Sequence, residues 1–420
     1  MKMLALFLLA AFQAAAQPVE RVLSLAQKER PALLETLKEL TAIGSGSREP
    51  EELDRIATTL ATKLRVLGAR AEVIEPVEAD THRMSDTPEK IGKMVRATFS
   101  GTGTRKILLL AHMDTVYPRG MLERQPFRID GDRAYGLGII DDRHGIGLIL
   151  HAIAMLNALD FRDYGTITVF FNGDEEIGAP ASRKHLTRLG AEHDAVISID
   201  TGGGYLALAS VGVGQAVLTA RGRARHASGR GENALEELAF QIGQMRDLSD
   251  ADAGIKVTWT LARAGVVVNM IPPEAQATAD VRVRRVADYE TVERRMRERM
   301  KTQLFADSRL ELLFEPRYPP MQRKPASEAL ARHVQALADR ELGMKIEIPE
   351  RPLGGGTNAG AASLETSAPV LEGFGLRGDG MHSANAEYVL ISSIEPALYL
   401  LVRALMDIAQ GKGPLGAGAR

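Results

Sequence analysis

Three short apolar runs constrain this chain more than anything else in it. Lys106-Ile-Leu-Leu-Leu-Ala111, Thr166-Ile-Thr-Val-Phe-Phe171 and Ala195-Val-Ile-Ser-Ile199 are each one strand long and show little polar alternation. Such strands are buried on both faces, which is the habit of sheets covered by helices on either side. Gly145–Leu159 between them reads as an apolar helix, and residues 18 to about 70 before them read as helical, with apolar residues of Pro31–Leu40 and Leu53–Leu67 at helical spacing. The expected fold class is α/β, a doubly wound mixed sheet.

The pattern changes near Gly212. Gln215–Arg221 reads as a strand, Ala234–Met245 as a helix, Ile255–Leu261 and Ala275–Val283 as strands, Ala287–Leu304 as a charged helix and Leu310–Phe314 as a last strand. This β-α-β-β-α-β order is that of a ferredoxin-like α+β domain. After Pro319-Pro320 the α/β pattern resumes, with a helix near Ser327–Leu342, a candidate strand Val370-Leu-Glu372 and a closing helix Glu395–Ala409. The small domain, 212–318, is therefore expected as an insertion between two parts of a large domain, 17–211 and 319–412. Residues 413–420 are Gly-rich and expected to be disordered. At the other end, Met1-Lys2, an apolar run to Phe12 and Ala14-Ala15-Ala16 read as a cleaved secretory leader over 1–16, which places the protein in the periplasm or outside the cell. That run is too short to span a bilayer, which takes about 20 residues.

The residues at the end of each strand matter most for chemistry. The first strand runs into His112-Met-Asp114, the second into Asn172-Gly-Asp174-Glu175-Glu176 and the third into Asp200. Ligands of open α/β sheets bind outside the carboxyl ends of the strands, so these groups converge on one crevice. An isolated His-x-Asp reads as well as a surface hydrogen bond, and an isolated acidic triplet as a solvated loop. Together they offer imidazole nitrogen and carboxylate oxygen, the donor set of zinc. His112 and Asp114 share a face, so the carboxylate can orient the ring. In Gly136-Leu-Gly138-Ile-Ile-Asp141-Asp142, the glycines allow a tight turn, and Asp141 reads as a carboxylate bridging two cations. Of the adjacent Glu175 and Glu176, one can bind metal while the other faces substrate. Met381-His382-Ser383 lies in a Gly-rich loop, and Gly354-Gly-Gly356-Thr357-Asn358 is a loop whose N–H groups suit an anion. Among nine histidines only His112, His226 and His382 sit in such constellations; His151 reads as a satisfied core residue, and His82, His185, His193 and His333 as solvated.

Other chemistries are excluded. There is no cysteine for a thiol nucleophile or a thiolate metal site. A net charge of −2 gives no basic excess for nucleic acid. No Gly-Lys-Ser/Thr exists for a P-loop, the third glycine of a dinucleotide fingerprint is missing after Gly138, and no stretch is apolar enough to cross a membrane.

With these motifs in order, the chain resembles the dinuclear-zinc exopeptidases and deacylases, a family that includes glutamate carboxypeptidase, aminoacylase and acetylornithine deacetylase. It looks closest to the glutamate carboxypeptidases. The strongest stretches are His112-Met-Asp-Thr-Val-Tyr117, Asp163–Val169, Asn269–Arg282, Gly354–Thr357, and His382 with Ala386-Glu-Tyr-Val389. The resemblance implies two Zn2+ per chain. His112 and Asp200 would hold one, Glu176 and His382 the other, and Asp141, joined to Asp142 by a cis peptide, would bridge them. Glu175 would be the general base of a zinc-bound hydroxide, with Asp114 and His226 completing the catalytic set. The small domain would dimerise, bringing His226 to the partner's site, and Asn269, Arg282 and Gly356 would contact a small peptide or N-acyl amino acid. The function implied is a zinc carboxypeptidase or amidohydrolase releasing a C-terminal amino acid, glutamate among the candidates. Three departures stand out. Asp200 replaces a Glu and favours the alternative of a dipeptidase or aminopeptidase. Arg143-His144 replaces Lys-Gly and Asn358 replaces Asp, which leaves room for a non-catalytic binding protein on the same fold.

Overall fold

The computed structural model describes residues 17–200, 202–383 and 386–412, so the expected leader and tail lie outside the described residues. Two helices come first, α1 (Glu20–Thr41) and α2 (Pro50–Val66). Then follow β1 (Arg70–Ile74), β2 (Met94–Ser100), β3 (Lys106–His112), α3 (His144–Ala158), β4 (Thr166–Asn172), α4 (Arg183–Glu192), β5 (Ala195–Ser198) and β6 (Leu206–Ala207). The next six elements are β7 (Gly212–Arg221), α5 (Ala234–Gln244), β8 (Lys256–Ala264), β9 (Glu274–Val283), α6 (Val286–Arg299) and β10 (Arg309–Tyr318). The chain closes with α7 (Pro325–Leu342), β11 (Val370–Gly373) and α8 (Ile394–Ala409).

The large sheet has the order β1-β2-β4-β3-β5-β11-β6. Strands β4, β3, β5 and β11 are parallel; at one edge β2 pairs antiparallel with β4 and β1 antiparallel with β2, and β6 is antiparallel at the other edge. The sheet is thus mixed, and its apolar strands are explained by what covers them. Ile107, Leu109 and Ala111 of β3 join Leu33 and Leu37 of α1, Ile149 of α3 and Leu401 of α8 in one core. Leu108 and Leu110 point the other way, into a second core with Leu186 and Leu189 of α4 and Ala361.

The second sheet is wholly antiparallel, in the order β8-β9-β7-β10. It buries Ala216, Leu218, Ala277, Ala279 and Val281 against Leu238 of α5 and Val292 and Met296 of α6. Strand β8 forms an open edge, and its Leu261 is 67% exposed.

Helix α1 begins at Glu20, within the stretch expected to be helical from residue 18, and continues through Pro31 because Val22, Ala26, Leu33 and Leu37 are all buried along one face and packing outweighs the lost hydrogen bond. Several other local expectations change. Helix α6 stops short of Leu304, where the buried Glu237 carboxylate accepts from Leu304 N (3.3 Å), Phe305 N (2.9 Å) and Ser308 Oγ (3.0 Å). The Gly-rich loop after Gly373 contains strands: Gly378–Asp379 and Tyr388–Leu390 pair with each other and, through Arg133–Tyr135, with Arg128–Asp130. His193 is buried rather than solvated, its ring bonded between Leu189 O (2.7 Å) and Thr168 Oγ1 (2.8 Å), and His333 faces Asp407 at 2.9 Å. His185 is half-buried and stacks on Phe170.

Candidate metal centre

Neighbouring strands β4, β3 and β5 deliver their terminal residues side by side. His112 is the last residue of β3, Asp174–Glu176 follow β4 and Asp200 follows β5. Asp141 comes from the turn leading into α3, which Gly138 enters with a φ of 67° and in which the Asp141–Asp142 peptide is cis. Asp142 locks this turn to the sheet: Oδ2 accepts from His112 N at 3.1 Å and Oδ1 from Gly145 N at 3.0 Å. A Cβ on Gly145 would collide with Ile199 O and the Asp142 carboxylate, so only glycine lets α3 start directly against the end of β5. His382 approaches from the turn after Gly378–Asp379 with a φ of 55°.

The result is two groups of potential ligands, His112–Asp141–Asp200 and Asp141–Glu176–His382, with ligand atoms in each group lying within 4.8 Å of one another. His112 Nε2 lies 2.9 Å from Asp141 Oδ1 and 3.7 Å from Asp200 Oδ1. His382 Nε2 lies 2.9 Å from Asp141 Oδ2 and 3.2 Å from Glu176 Oε2. Asp141 thus turns one oxygen to each group, the geometry of a bridging ligand.

The electrostatics call for a cation. Burial lifts Glu175 well above the usual carboxylate range, and the charge of Asp200 adds to the effect. Burial also raises Asp200 against the pull of His112, and burial with the charge of Asp141 pushes Glu176 up to about 7. Hydrogen bonds to Asp141 and Glu176 raise His382 to about 10. Glu175 Oε1 and Glu176 Oε1 are buried with no hydrogen-bond partner. Such crowding of acids is costly unless positive charge joins them. Two imidazoles and three carboxylates around two foci fit zinc or a similar divalent ion.

A supporting layer fixes these groups. The Asp114 carboxylate accepts from Glu175 N and Glu176 N, both at 3.0 Å, and from Ser47 Oγ at 2.8 Å, while Oδ1 lies 3.4 Å from His112 Nδ1. One buried side chain therefore aligns the first histidine and the Glu175–Glu176 backbone. Tyr318, the last residue of β10, donates its hydroxyl to Glu175 O and accepts from Gly178 N at 2.9 Å. Glu372 of β11 accepts from Asp200 N at 3.0 Å. Sequence reasoning passes over Glu372, although it is a carboxylate ending a buried strand, the signal that locates the others.

The departures find places too. Asn358 and Asn172 exchange amide hydrogen bonds of 2.7 and 3.2 Å, and Asn172 also donates to Asp174 at 3.0 Å. An Asp at 358 would set a second carboxylate beside Asp174. Arg143 is 1% exposed and donates to Met113 O at 2.5 Å and to Ser45 Oγ, a buried cation beneath the acids. His144 is fully buried with Nδ1 3.5 Å from Asp142 Oδ1.

Four expected site residues are not among these ligands. His226 and Asn269 meet each other in a two-stranded ribbon, where His226 pairs with Met270 and Ala227 N donates to Asn269 O at 2.9 Å. Both side chains are exposed, and Val266 and Val268 beside them are 90% and 100% exposed. The Arg282 fork is held by Asp280 (2.8 Å to each oxygen), while its third nitrogen reaches Gly354 O at 3.0 Å. Gly356 lies so close to the Tyr318 ring that a Cβ would overlap it.

The sequence profile of Peptidase family M20/M25/M40 matches residues 108–407. Carboxypeptidase G2 of Pseudomonas sp. (strain RS-16) is 34% identical over 393 residues, 92% of each chain. Among solved structures, aminopeptidase PepT of Bacillus cereus superposes with a TM-score of 0.73 at 20% identity, over 90% of this chain and 99% of that one. The M20 family metallo-carboxypeptidase Sso-CP2 of Sulfolobus solfataricus gives 0.71 at 16% identity, over 90% and 99%. The mixed sheet with its small domain is the fold these structures share.

Proposed function

This chain belongs to Peptidase family M20/M25/M40, a family of metallopeptidases, and from that premise we propose that it is a two-zinc carboxypeptidase acting on small peptides or N-acyl amino acids. The observation that carries the reading is Asp141, shared by two ligand groups with the buried Glu175 beside them. The name of carboxypeptidase G2, similar over nearly the whole chain, supports release of a C-terminal residue, with glutamate the first to test. Glu175 and both ligand groups leave the reading of a non-catalytic binding protein without support.

His112 and Asp200 would hold one ion, Glu176 and His382 the other, and Asp141 both. Two bound zinc ions would supply Lewis-acid polarisation of the scissile carbonyl and a water of lowered pKa. Glu175, buried beside both ligand groups, is placed to take a proton from an attacking water and pass it to the leaving amine. Asp114 holds its backbone during the transfer, as a positioning residue. His226 supplies the donor for the developing oxyanion, Arg282 beside the Gly354–Gly356 loop exchanges Asp280 for the substrate carboxylate, and Asn269, held with His226 on the ribbon at the far end of β9, contacts that carboxylate from there. Because His226 is exposed on its ribbon, a second copy of the chain completes the site. The open β8 edge and the bare Val266–Val268 loop support a homodimer through the small domain. The leader motif of residues 1–16 supports export.

The test is metal content with amino-acid release from N-acyl-glutamates, other N-acyl amino acids and unblocked dipeptides. Two zincs per chain with release from blocked substrates meets the expectation. Turnover of unblocked dipeptides alone favours the second reading, a dipeptidase or aminopeptidase, which Asp200 motivates.

A further inference from the structure

The two ligand groups are supported differently. His112, Asp200 and Asp141 have side chains no more than 11% exposed, and strands β3 and β5 with Asp142 hold their backbones. His382 is 53% exposed and stands on a left-handed turn, so packing from outside does not fix it. What lies beneath it is a buried pair the mechanism does not use.

Glu387 is fully buried. Its Oε1 accepts from the Tyr117 hydroxyl at 2.5 Å, its Oε2 accepts from Ile140 N at 3.3 Å, and its main-chain oxygen accepts from Gly136 N at 3.2 Å. The Tyr117 oxygen also lies 3.3 Å from Ser383 O. Ile140 directly precedes Asp141, and Ser383 directly follows His382. One buried carboxylate with its tyrosine therefore touches the backbone next to both residues whose side chains must meet at 2.9 Å. It joins three segments far apart in sequence: the exit of β3, the turn before α3 and the His382 loop.

We propose that Glu387, seated by Tyr117, is a positioning residue that sets the geometry of the second cation site, Asp141–Glu176–His382. The inference rests on the two-cation reading of the proposed function. Groups one step behind a metal's ligands commonly govern affinity because they fix ligand orientation. Here the asymmetry of support predicts that the effect is selective. The first site keeps its ligands without this pair, whereas the second loses the alignment of His382 with Asp141.

The test uses the full-length protein stripped of metal and titrated with Zn2+ against a competing chelator, for wild type, Glu387→Gln and Tyr117→Phe. In Glu387→Gln the charge is lost, and the amide NH2 can meet the Tyr117 hydroxyl only by turning it from donor to acceptor. Tyr117→Phe keeps the ring in its place and removes only the hydroxyl, so it carries the test if the first variant fails to fold. Wild type should bind two equivalents. Each variant should bind the first as wild type does and the second about 10- to 100-fold more weakly. Co2+ added to chain with one Zn2+ already bound should give a visible absorption spectrum in wild type and a weaker, altered one in the variants. Equal weakening of both sites, or of neither, overturns the inference while leaving the two-cation reading intact. Fewer than two equivalents in wild type removes that reading and the inference with it.

Discussion

The crevice at the ends of β3, β4 and β5 and the ribbon of His226 and Asn269 both hold residues the sequence marks as functional, yet they differ in how finished they are. In the crevice the backbones of His112, Glu175, Glu176 and Asp200 are pinned: Asp114 holds Glu175 and Glu176, Asp142 holds His112 and Glu372 holds Asp200. On the ribbon, the His226 ring meets the Ser228 hydroxyl, 2.7 Å away, and valines beside Asn269 face solvent. The potential metal ligands meet within one chain, whereas the ribbon residues stay at the surface. A single chain brings both ligand groups together and leaves His226 and Asn269 outside them.

The sharpest break in this comparison is Glu175→Gln. Turnover should fall by about 10²–10⁴-fold, the usual weight of a general base, while metal content by atomic emission stays at the wild-type value. Loss of metal in this variant would mean that Glu175 is a ligand rather than the base.

His226→Ala should lower kcat by about 10²–10³-fold, the cost of one oxyanion donor, again with metal retained. Mixed with Glu175→Gln chains and re-dimerised, it should regain activity. Random pairing leaves one intact site in half the dimers, about a quarter of wild-type activity. No recovery in the mixture would place His226 in its own chain's site and make ribbon and crevice parts of a single finished unit.

Asn358→Asp tests the crevice wall. A carboxylate in place of the amide that pairs with Asn172 leaves a buried charge beside Asp174 and should cost about 1–3 kcal/mol in urea denaturation. An unchanged midpoint would show that Asn172 rearranges to satisfy the acid.

The smallest effect separates the domains by pH. Burial lowers the pKa of His151, His185 and His193, all in the large domain. Below their unfolded value of about 6.5 the unfolded chain therefore binds more protons than the folded one. Stability from these groups is present above 6.5 and drains away as pH falls toward their depressed folded values. The raised carboxyls of the crevice titrate in the same window with the opposite sign, so near-UV thermal scans at stepped pH read the effect as a difference: the melting-temperature gap between wild type and His193→Gln should narrow as pH drops below 6.5. A gap that stays constant with pH there would contradict it.

Much of the crevice is legible in the sequence because three buried strands stop abruptly on acids and a histidine, and a parallel sheet leaves those ends nowhere else to go. Asp141 is legible from its glycines. Glu387 and Tyr117 are not, since a buried pair assembled from distant loops leaves no local period. The same holds for the Asn172–Asn358 exchange, which looks in sequence like an unexplained departure. The end of α6 is hidden because helical periodicity continues to Leu304, while the Glu237 carboxylate that captures the chain there lies on another helix.

The insertion of the small domain has a consequence for the order of events during synthesis. Strand β11, which pairs with β5, and the His382 loop are translated only after the whole segment from β7 to β10. The antiparallel small domain can close on contacts within its own stretch, whereas the large sheet must wait with one side of β5 unpaired. Such a half-made sheet is the state most exposed to proteases and to wrong strand partners, and it lasts as long as the insertion takes to emerge. The His112–Asp141–Asp200 group is translated before the insertion, and the Asp141–Glu176–His382 group is complete only once the His382 loop has followed it. A cation that needs the second group would therefore favour only chains that have passed the insertion.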